Sequence, residues 1–114
     1  MRVAIIGSRE IGADNSIYEK IKTSLPSSCS EIVSGGAKGV DMAAQRLADE
    51  LQLRFTCFLP KYELYGITAP LKRNEEIIAY ADLVIAFWDF DSKGTQNSIA
   101  SAIKAGKPVK IIEL

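Results

Sequence analysis

The 114-residue sequence contains no histidine. This absence excludes a Ser-His-Asp triad, a Cys-His pair and every zinc site built on histidine ligands. Any chemistry must therefore use carboxylates, lysine, tyrosine, hydroxyl groups, cysteine or backbone dipoles. The sequence predicts no metal site and no required cofactor.

Cysteine is scarce, and long apolar runs are missing. Cys29 and Cys57 lie far apart without C-x-x-C spacing, which is typical of two reduced thiols. No apolar run approaches the roughly 20 residues that a membrane span needs. The sequence starts with a strand-like segment and not with a signal peptide. We therefore expect a cytoplasmic protein without a membrane partner.

The chain also lacks an excess of charge of either sign, since 14 basic residues balance 14 acidic ones. A whole-molecule field that attracts nucleic acid is therefore not expected, although a local basic patch is compatible with this balance. The length suits one domain with a real core, and we predict a single domain over residues 1–114.

Apolar runs alternate with helical patterns along the whole chain. The predicted strands are 2–6, 31–34, 54–59, 82–88 and 107–114. The predicted helices are about 16–25, 40–51 and 70–80, with a fourth that runs from a cap at Thr95 to Gly106, while the segment around 61–68 is predicted to be a loop. This alternation predicts an α/β fold with a parallel five-stranded sheet covered by helices on both faces, a Rossmann-like three-layer arrangement.

The first and fourth strands are the most apolar, so they should lie centrally. The strand order 3-2-1-4-5 achieves this with right-handed crossovers and creates a switch point between strands 1 and 4. Four segments then meet at the carboxyl edge of the sheet: 7–9, 34–39, 72–74 and 89–97. Ligands of open α/β sheets bind at this edge.

Two glycine-rich helix starts converge there. Glycine lets backbone amides approach a ligand closely, and the helices after Gly39 and Gly94 offer unpaired amides and a partial positive charge. Ser92 and Thr95 add hydroxyl donors. The side chain of Lys38, Arg73 or Lys93 can complete the neutralisation of a bound anion. The pattern predicts a phosphate-binding site.

Each feature also has a purely structural interpretation. The glycines can serve packing, Thr95 can serve only as a cap, and the aspartates near residue 90 can be turn formers. Neither G-x-G-x-x-G nor a P-loop motif occurs. Trp88 fits the core or a surface that stacks on a base. Tyr62 and Tyr65 fit a lid over the pocket or an exposed cluster, and the latter is compatible with a homo-oligomer.

Four motifs together resemble the SLOG superfamily, which is named for the DNA-processing protein A (Smf/DprA) and the Lonely Guy hydrolases. They are "GSR" (7–9), "IVSGGAKGVDMAAQRLA" (32–48), "RN" (73–74) and "SKGTQNSIASAIKAGKPV" (92–109). The likeness is strongest to its small single-domain YspA/YpsA-related branch. It implies a Rossmann-like fold and a pocket for a nucleotide or nucleotide-derived ligand, and members include phosphoribohydrolases, single-stranded DNA binders, carriers and sensors.

The resemblance and the residue pattern together define a predicted ligand site. Its members are Gly7, Ser8, Arg9, Ser34, Gly35, Gly36, Lys38, Gly39, Arg73, Asn74, Ser92, Lys93, Gly94 and Thr95. The Lonely Guy enzymes carry a catalytic glutamate in a P-G-G-x-G-T-x-x-E motif, and alignment on Gly94-Thr95 places Ser98 there. Asp89, Asp91 and Arg73 are the catalytic candidates, and Glu10 is a further carboxylate near the same edge.

Three functions follow, in order of preference. The first is a module that senses or carries a small-molecule nucleotide ligand. The second is a hydrolase that cleaves the N-glycosidic bond of a nucleoside monophosphate or an ADP-ribose-like molecule. The third is a DprA-like accessory protein for single-stranded DNA, which the zero net charge disfavours because tight DNA binding needs several phosphate contacts.

Overall fold

A parallel five-stranded sheet forms the centre of the molecule. The computed structural model describes residues 1–7, 15–35 and 39–113, with Asn15 described by its backbone alone. The strands are β1 (Arg2–Gly7), β2 (Glu31–Ser34), β3 (Arg54–Cys57), β4 (Leu83–Trp88) and β5 (Val109–Glu113). Their order is β3-β2-β1-β4-β5, which confirms the predicted topology and the central position of the two most apolar strands.

Helices cover both faces of this sheet. They are α1 (Asn15–Ser24), α2 (Val40–Glu50), the short α3 (Tyr62–Tyr65), α4 (Ala69–Tyr80) and α5 (Lys93–Lys104). On one face, Val3 and Ile5 pack with buried residues of α1 and α2. On the other face, Ala4 packs with residues of α4 and α5. Successive residues of β1 thus alternate between two apolar layers, as a strand buried on both faces requires.

The pairing of β1 with β4 positions the functional edge. The register runs from Val3 opposite Leu83 to Gly7 opposite Phe87. The carboxyl ends of the two central strands are therefore level, and the crossover connections leave from them in opposite directions. This is the topological switch point at which open α/β sheets bind ligands.

The predicted loop at 61–68 was wrong, because it folds into α3 and a 3₁₀ turn (Gly66–Thr68). The carbonyl of Lys61 accepts hydrogen bonds from the amides of Leu64 and Tyr65. The hydroxyl of Thr68 donates to the carbonyl of Tyr65 at 2.7 Å. These local bonds give a four-residue segment a helical turn. A segment this short has no apolar periodicity from which a helix could be predicted.

Two strand ends differ from the prediction by two residues each. β3 stops at Cys57, because β2 ends at Ser34 and offers no further partner residues. β5 begins at Val109, after Pro108, which has no amide to donate. In the part of the chain that the structure describes, no helix is long and apolar enough to cross a membrane.

Candidate functional site

A cavity of about 430 Å³ lies at the carboxyl edge of the sheet, beside the switch point. It receives residues from the ends of β1 and β2, the first turn of α2, the helix α4, and the loop that joins β4 to α5. The lining comprises Ile6, Gly7, Gly35, Asp41, Pro70, Leu71, Arg73, Asn74, Ile77, Asp89, Asp91, Ser92, Gly94, Thr95 and Ser98.

The structure brings most of the described predicted residues together here. Seven predicted ligand residues line the cavity: Gly7, Gly35, Arg73, Asn74, Ser92, Gly94 and Thr95. The catalytic candidates Asp89 and Asp91 line it as well. Ser8, Arg9, Glu10, Gly36 and Lys38 lie outside the described residues. That these residues contact a ligand remains a prediction.

Three predicted residues lie elsewhere. Ser34 is fully buried, and its carbonyl accepts a hydrogen bond from the amide of Phe58. Gly39 precedes α2 with φ +81°, a conformation that favours glycine, so it serves the turn into the helix. Lys93 is exposed and is absent from the lining.

The start of α5 forms one wall of the cavity. Ser92 is the N-cap, and its hydroxyl oxygen accepts from the amide of Thr95 at 3.4 Å. The prediction that Thr95 caps this helix was therefore wrong by three positions; its own hydroxyl donates to Ser92 Oγ at 3.2 Å. Among the described residues, the amides of Lys93 and Gly94 make no hydrogen bond, as is usual in a first helical turn.

Arg73 reaches the cavity from α4 and is only 9% exposed. Its Nε donates to Asn74 Oδ1 at 2.8 Å. Its Nη1 donates to the carbonyl of Gly35 and, at 3.5 Å, to that of Phe58. The guanidinium therefore ties α4 to the ends of β2 and β3, a structural task that the sequence did not reveal.

The glycines at this edge serve different purposes. A Cβ on Gly7 would lie 2.7 Å from Cγ2 of Val40, so this glycine lets α2 pack against β1. A Cβ on Gly35 would lie 2.6 Å from Nη1 of Arg73. A Cβ on Gly94 would meet no atom within 4 Å. Gly94 is thus the lining glycine whose neighbourhood has room for a ligand.

Carboxylates also line the cavity. Asp89 Oδ1 accepts hydrogen bonds of 2.9 Å from the amides of Asp91 and Ser92, so this side chain holds the loop before α5. Asp41 is buried in the first turn of α2.

The thiol of Cys57 lies near these charges. Burial raises the pKa of this thiol; the charge of Asp41 raises it further, and that of Arg73 opposes the rise. Cys57 is therefore a protonated thiol and not an activated nucleophile.

Two polar lining residues were absent from the predicted site. Asp41 lies within the quoted motif 32–48, and an acid in the first helical turn after its glycines was the available signal. Ser98 lies one turn after Thr95 on the same face of α5, so the 3.6-residue period was the signal there. Ser98 is the residue that the alignment placed at the glutamate of the hydrolases, and it is buried at the cavity.

The tyrosines, the cysteines and a metal site were also considered in the sequence. Neither Tyr62 nor Tyr65 lines the cavity, and both are exposed. Cys29 and Cys57 are both free. Within residues 1–7, 15–35 and 39–113, no group of three or more acidic or cysteine side chains is arranged to hold a metal ion.

Comparison with known proteins gives a family match and two structural neighbours. The family model of DNA recombination-mediator protein A matches residues 1–62. DNA processing protein A from Helicobacter pylori, whose structure is described as having a unique mode of binding single-stranded DNA, superposes with a TM-score of 0.77 and 26% identity. The match covers 100% of this chain and 66% of that one, so the present chain spans just under two thirds of its neighbour.

The second structure is the structural-genomics target TM1055. It superposes with a TM-score of 0.68 and 19% identity over 95% of this chain and 71% of that one, which shows the shared fold alone. No curated protein matches the chain. The fold of the SLOG superfamily, implied by the motifs, is confirmed by these neighbours.

Proposed function

Because the chain belongs to the family of DNA recombination-mediator protein A, we propose that it binds single-stranded DNA and that one nucleotide occupies the cavity beside α5. The observation that carries this proposal is the joining, in one cavity, of the first turn of α5 with Arg73 and Asn74. This places unpaired helix amides opposite polar side chains at the switch point. The single-stranded DNA binding described for the Helicobacter pylori neighbour supports the same ligand class.

The open space at Gly94 supports a phosphate at the start of α5. A helix N-terminus offers amide donors and a partial positive charge to an anion. The amides of Lys93 and Gly94 are the donors there, and no side chain crowds the position that a Cβ of Gly94 would take. A backbone phosphate at this point is held by positioned donors rather than by a basic groove.

The electrostatics of the cavity limit how many phosphates it can hold. Its described lining contains three aspartates (Asp41, Asp89 and Asp91) and one arginine, and the chain has no net charge. Binding that rests on one or two phosphates gives a slope of only about −0.7 to −1.4 in a plot of log K against log salt concentration. A shallow salt dependence distinguishes this site from a basic groove.

A free mononucleotide is the second candidate ligand. The cavity volume of about 430 Å³ lies in the range of small-molecule sites, and the neutral chain supplies no general attraction for a polyanion. In this alternative the same cavity binds the nucleotide, and the strand on either side contributes nothing to affinity.

The test is a titration of the protein into a fluorescently labelled strand of about ten thymidylates, followed by fluorescence anisotropy. Thymidine monophosphate serves as competitor. Saturable binding with a shallow salt slope and weak competition supports the strand. Displacement of the labelled strand by a low concentration of thymidine monophosphate favours the second candidate. Absence of binding to the strand at any salt concentration contradicts the proposed function.

A further inference from the structure

Two aromatic side chains form a pair beside the cavity. Trp88 is the last residue of β4, and Phe90 follows it by two positions. Their ring centroids are 4.7 Å apart, with 42° between the ring planes. Trp88 is half-buried, but Phe90 is 56% exposed, so the pair presents aromatic surface to solvent.

The backbone holds Phe90 in an unfavourable conformation. Its φ is +65°, in the left-handed region that bulky residues rarely adopt. Glycine would relieve this strain, and an exposed ring gains little from burial in return. A strained, exposed aromatic residue is therefore hard to explain by the stability of the fold.

The surrounding hydrogen bonds fix the pair in place. The indole Nε1 of Trp88 donates to the carbonyl of Ser92 at 3.1 Å. The carboxylate of Asp89 accepts from the amides of Asp91 and Ser92, which closes the turn around Phe90. The indole of Trp88 and the backbone that carries Phe90 are thus positioned before any ligand arrives, which lowers the entropic cost of binding.

The same turn contributes to the cavity. Asp89 and Asp91, on either side of Phe90, line it, and so does Ser92, to which the indole is bonded. The lining includes neither Trp88 nor Phe90, but it includes the residues that flank Phe90, so the pair lies next to the cavity. Trp88 pairs with Glu113 of β5, which places the pair on the β5 side of the switch point.

We propose that Trp88 and Phe90 form a stacking surface for a nucleobase of the bound strand. This inference rests on the proposed function and adds the group that is recognised: the base, through its π-face, beside the phosphate at α5. Stacking is tolerant of sequence, because every base has a π-face. It is also independent of charge, which suits a chain with no net charge.

The chain offers a direct readout, because Trp88 is its single tryptophan. Intrinsic fluorescence is therefore measured during titration with a strand of about ten thymidylates. A strand of equal length with abasic sites carries the same phosphates without bases. Quenching by the thymidylate strand and none by the abasic strand is expected.

Affinity is measured in parallel by anisotropy for Phe90→Gly, which removes the ring and relieves the strained φ. We expect this variant to unfold at the same temperature as the wild type or higher, and to bind the thymidylate strand about fivefold to a hundredfold more weakly. Phe90→Trp should restore binding. The control is Tyr62→Ala, since Tyr62 is 57% exposed and lies outside the cavity lining; its affinity should not change.

The outcomes separate the two proposals. If the wild type binds the strand but Phe90→Gly binds equally well, or the abasic strand quenches Trp88 equally, the stacking surface is wrong and the proposed function stands. If the wild type binds no strand in the anisotropy assay, the proposed function is wrong and the stacking surface falls with it.

Discussion

The guanidinium of Arg73 donates a hydrogen bond to the carbonyl of Gly35, which lies 38 positions earlier in the chain. Both residues belong to the predicted ligand site, yet each is also a partner of the other. A Cβ on Gly35 would lie 2.6 Å from the same guanidinium nitrogen. The missing side chain at Gly35 therefore makes room for the guanidinium of Arg73.

Replacing Arg73 should destabilise the fold as well as the site. In Arg73→Met the partly buried carbonyls of Gly35 and Phe58 lose this donor. An unsatisfied buried acceptor costs about 1–3 kcal/mol, and partial exposure places the expected loss of unfolding free energy at the lower end, about 1 kcal/mol. Urea unfolding measures this loss. The control is Lys72→Met, because Lys72 is the exposed neighbour on α4 and is absent from the cavity lining. Equal stability of the two variants would show that Arg73 has no structural task.

Gly94 allows the site to be blocked without harming the fold. In Gly94→Leu the side chain starts in open space, and leucine favours the helix by about 0.5–1 kcal/mol over glycine. We expect unchanged or higher thermal stability and at least about tenfold weaker strand binding, which is 1.4 kcal/mol. Gln96→Leu is the control, since Gln96 is exposed on the same helix outside the lining. Full binding by Gly94→Leu would mean that no ligand occupies the start of α5.

The charge of Asp91 distinguishes binding from hydrolysis. Asp91 is exposed at the cavity, so its carboxylate repels a nearby phosphate. In Asp91→Asn this repulsion is removed, and we expect strand affinity to rise about two- to fivefold at low salt. A hydrolase that uses this carboxylate would instead lose turnover. Anisotropy measures the first effect, and chromatography of the free base released from a nucleoside monophosphate measures the second.

Acid should destabilise the protein in part through Glu31. Burial raises the pKa of this carboxyl, but hydrogen bonds from Tyr80 and Thr56 and the charges of Arg54 and Arg2 outweigh burial and hold it below the ordinary value of 4.5. A lowered folded-state pKa gives stability that is complete above pH 4.5 and is lost as the pH falls through the folded value.

The test of this acid effect is Glu31→Gln. The amide keeps the size of the side chain but cannot titrate, so the fall in unfolding free energy below pH 4.5 should be smaller than in the wild type. Part of the fall should persist, because the amide of Arg2 also holds the pKa of Asp82 below its usual value. Identical acid profiles for both proteins would exclude a role for Glu31.

The sequence was sufficient to predict the sheet and its order, because uninterrupted apolar runs and short connections leave few topologies. The helix cap was misplaced because Ser92 and Thr95 are both hydroxyl residues at a plausible start, and spacing alone does not say which accepts the amide. The Arg73–Gly35 bond could not be predicted, since it depends on how closely α4 approaches the end of β2. The strained φ of Phe90 could not be predicted from the sequence either, because this angle is set by the geometry of the turn and not by composition.

The position of β1 in the sheet has a consequence for how the chain is made. β1 precedes the other four strands in the chain, and Val3 pairs with Leu83 of β4, 80 positions later. Until β4 is available, one edge of this strand, which is apolar from Val3 to Ile6, has no partner, and such an edge can pair with another chain. Closure of this long loop is slow compared with the local pairing of β2 and β3. The pairing of β4 (Leu83–Trp88) with β1 is therefore the step that covers this edge.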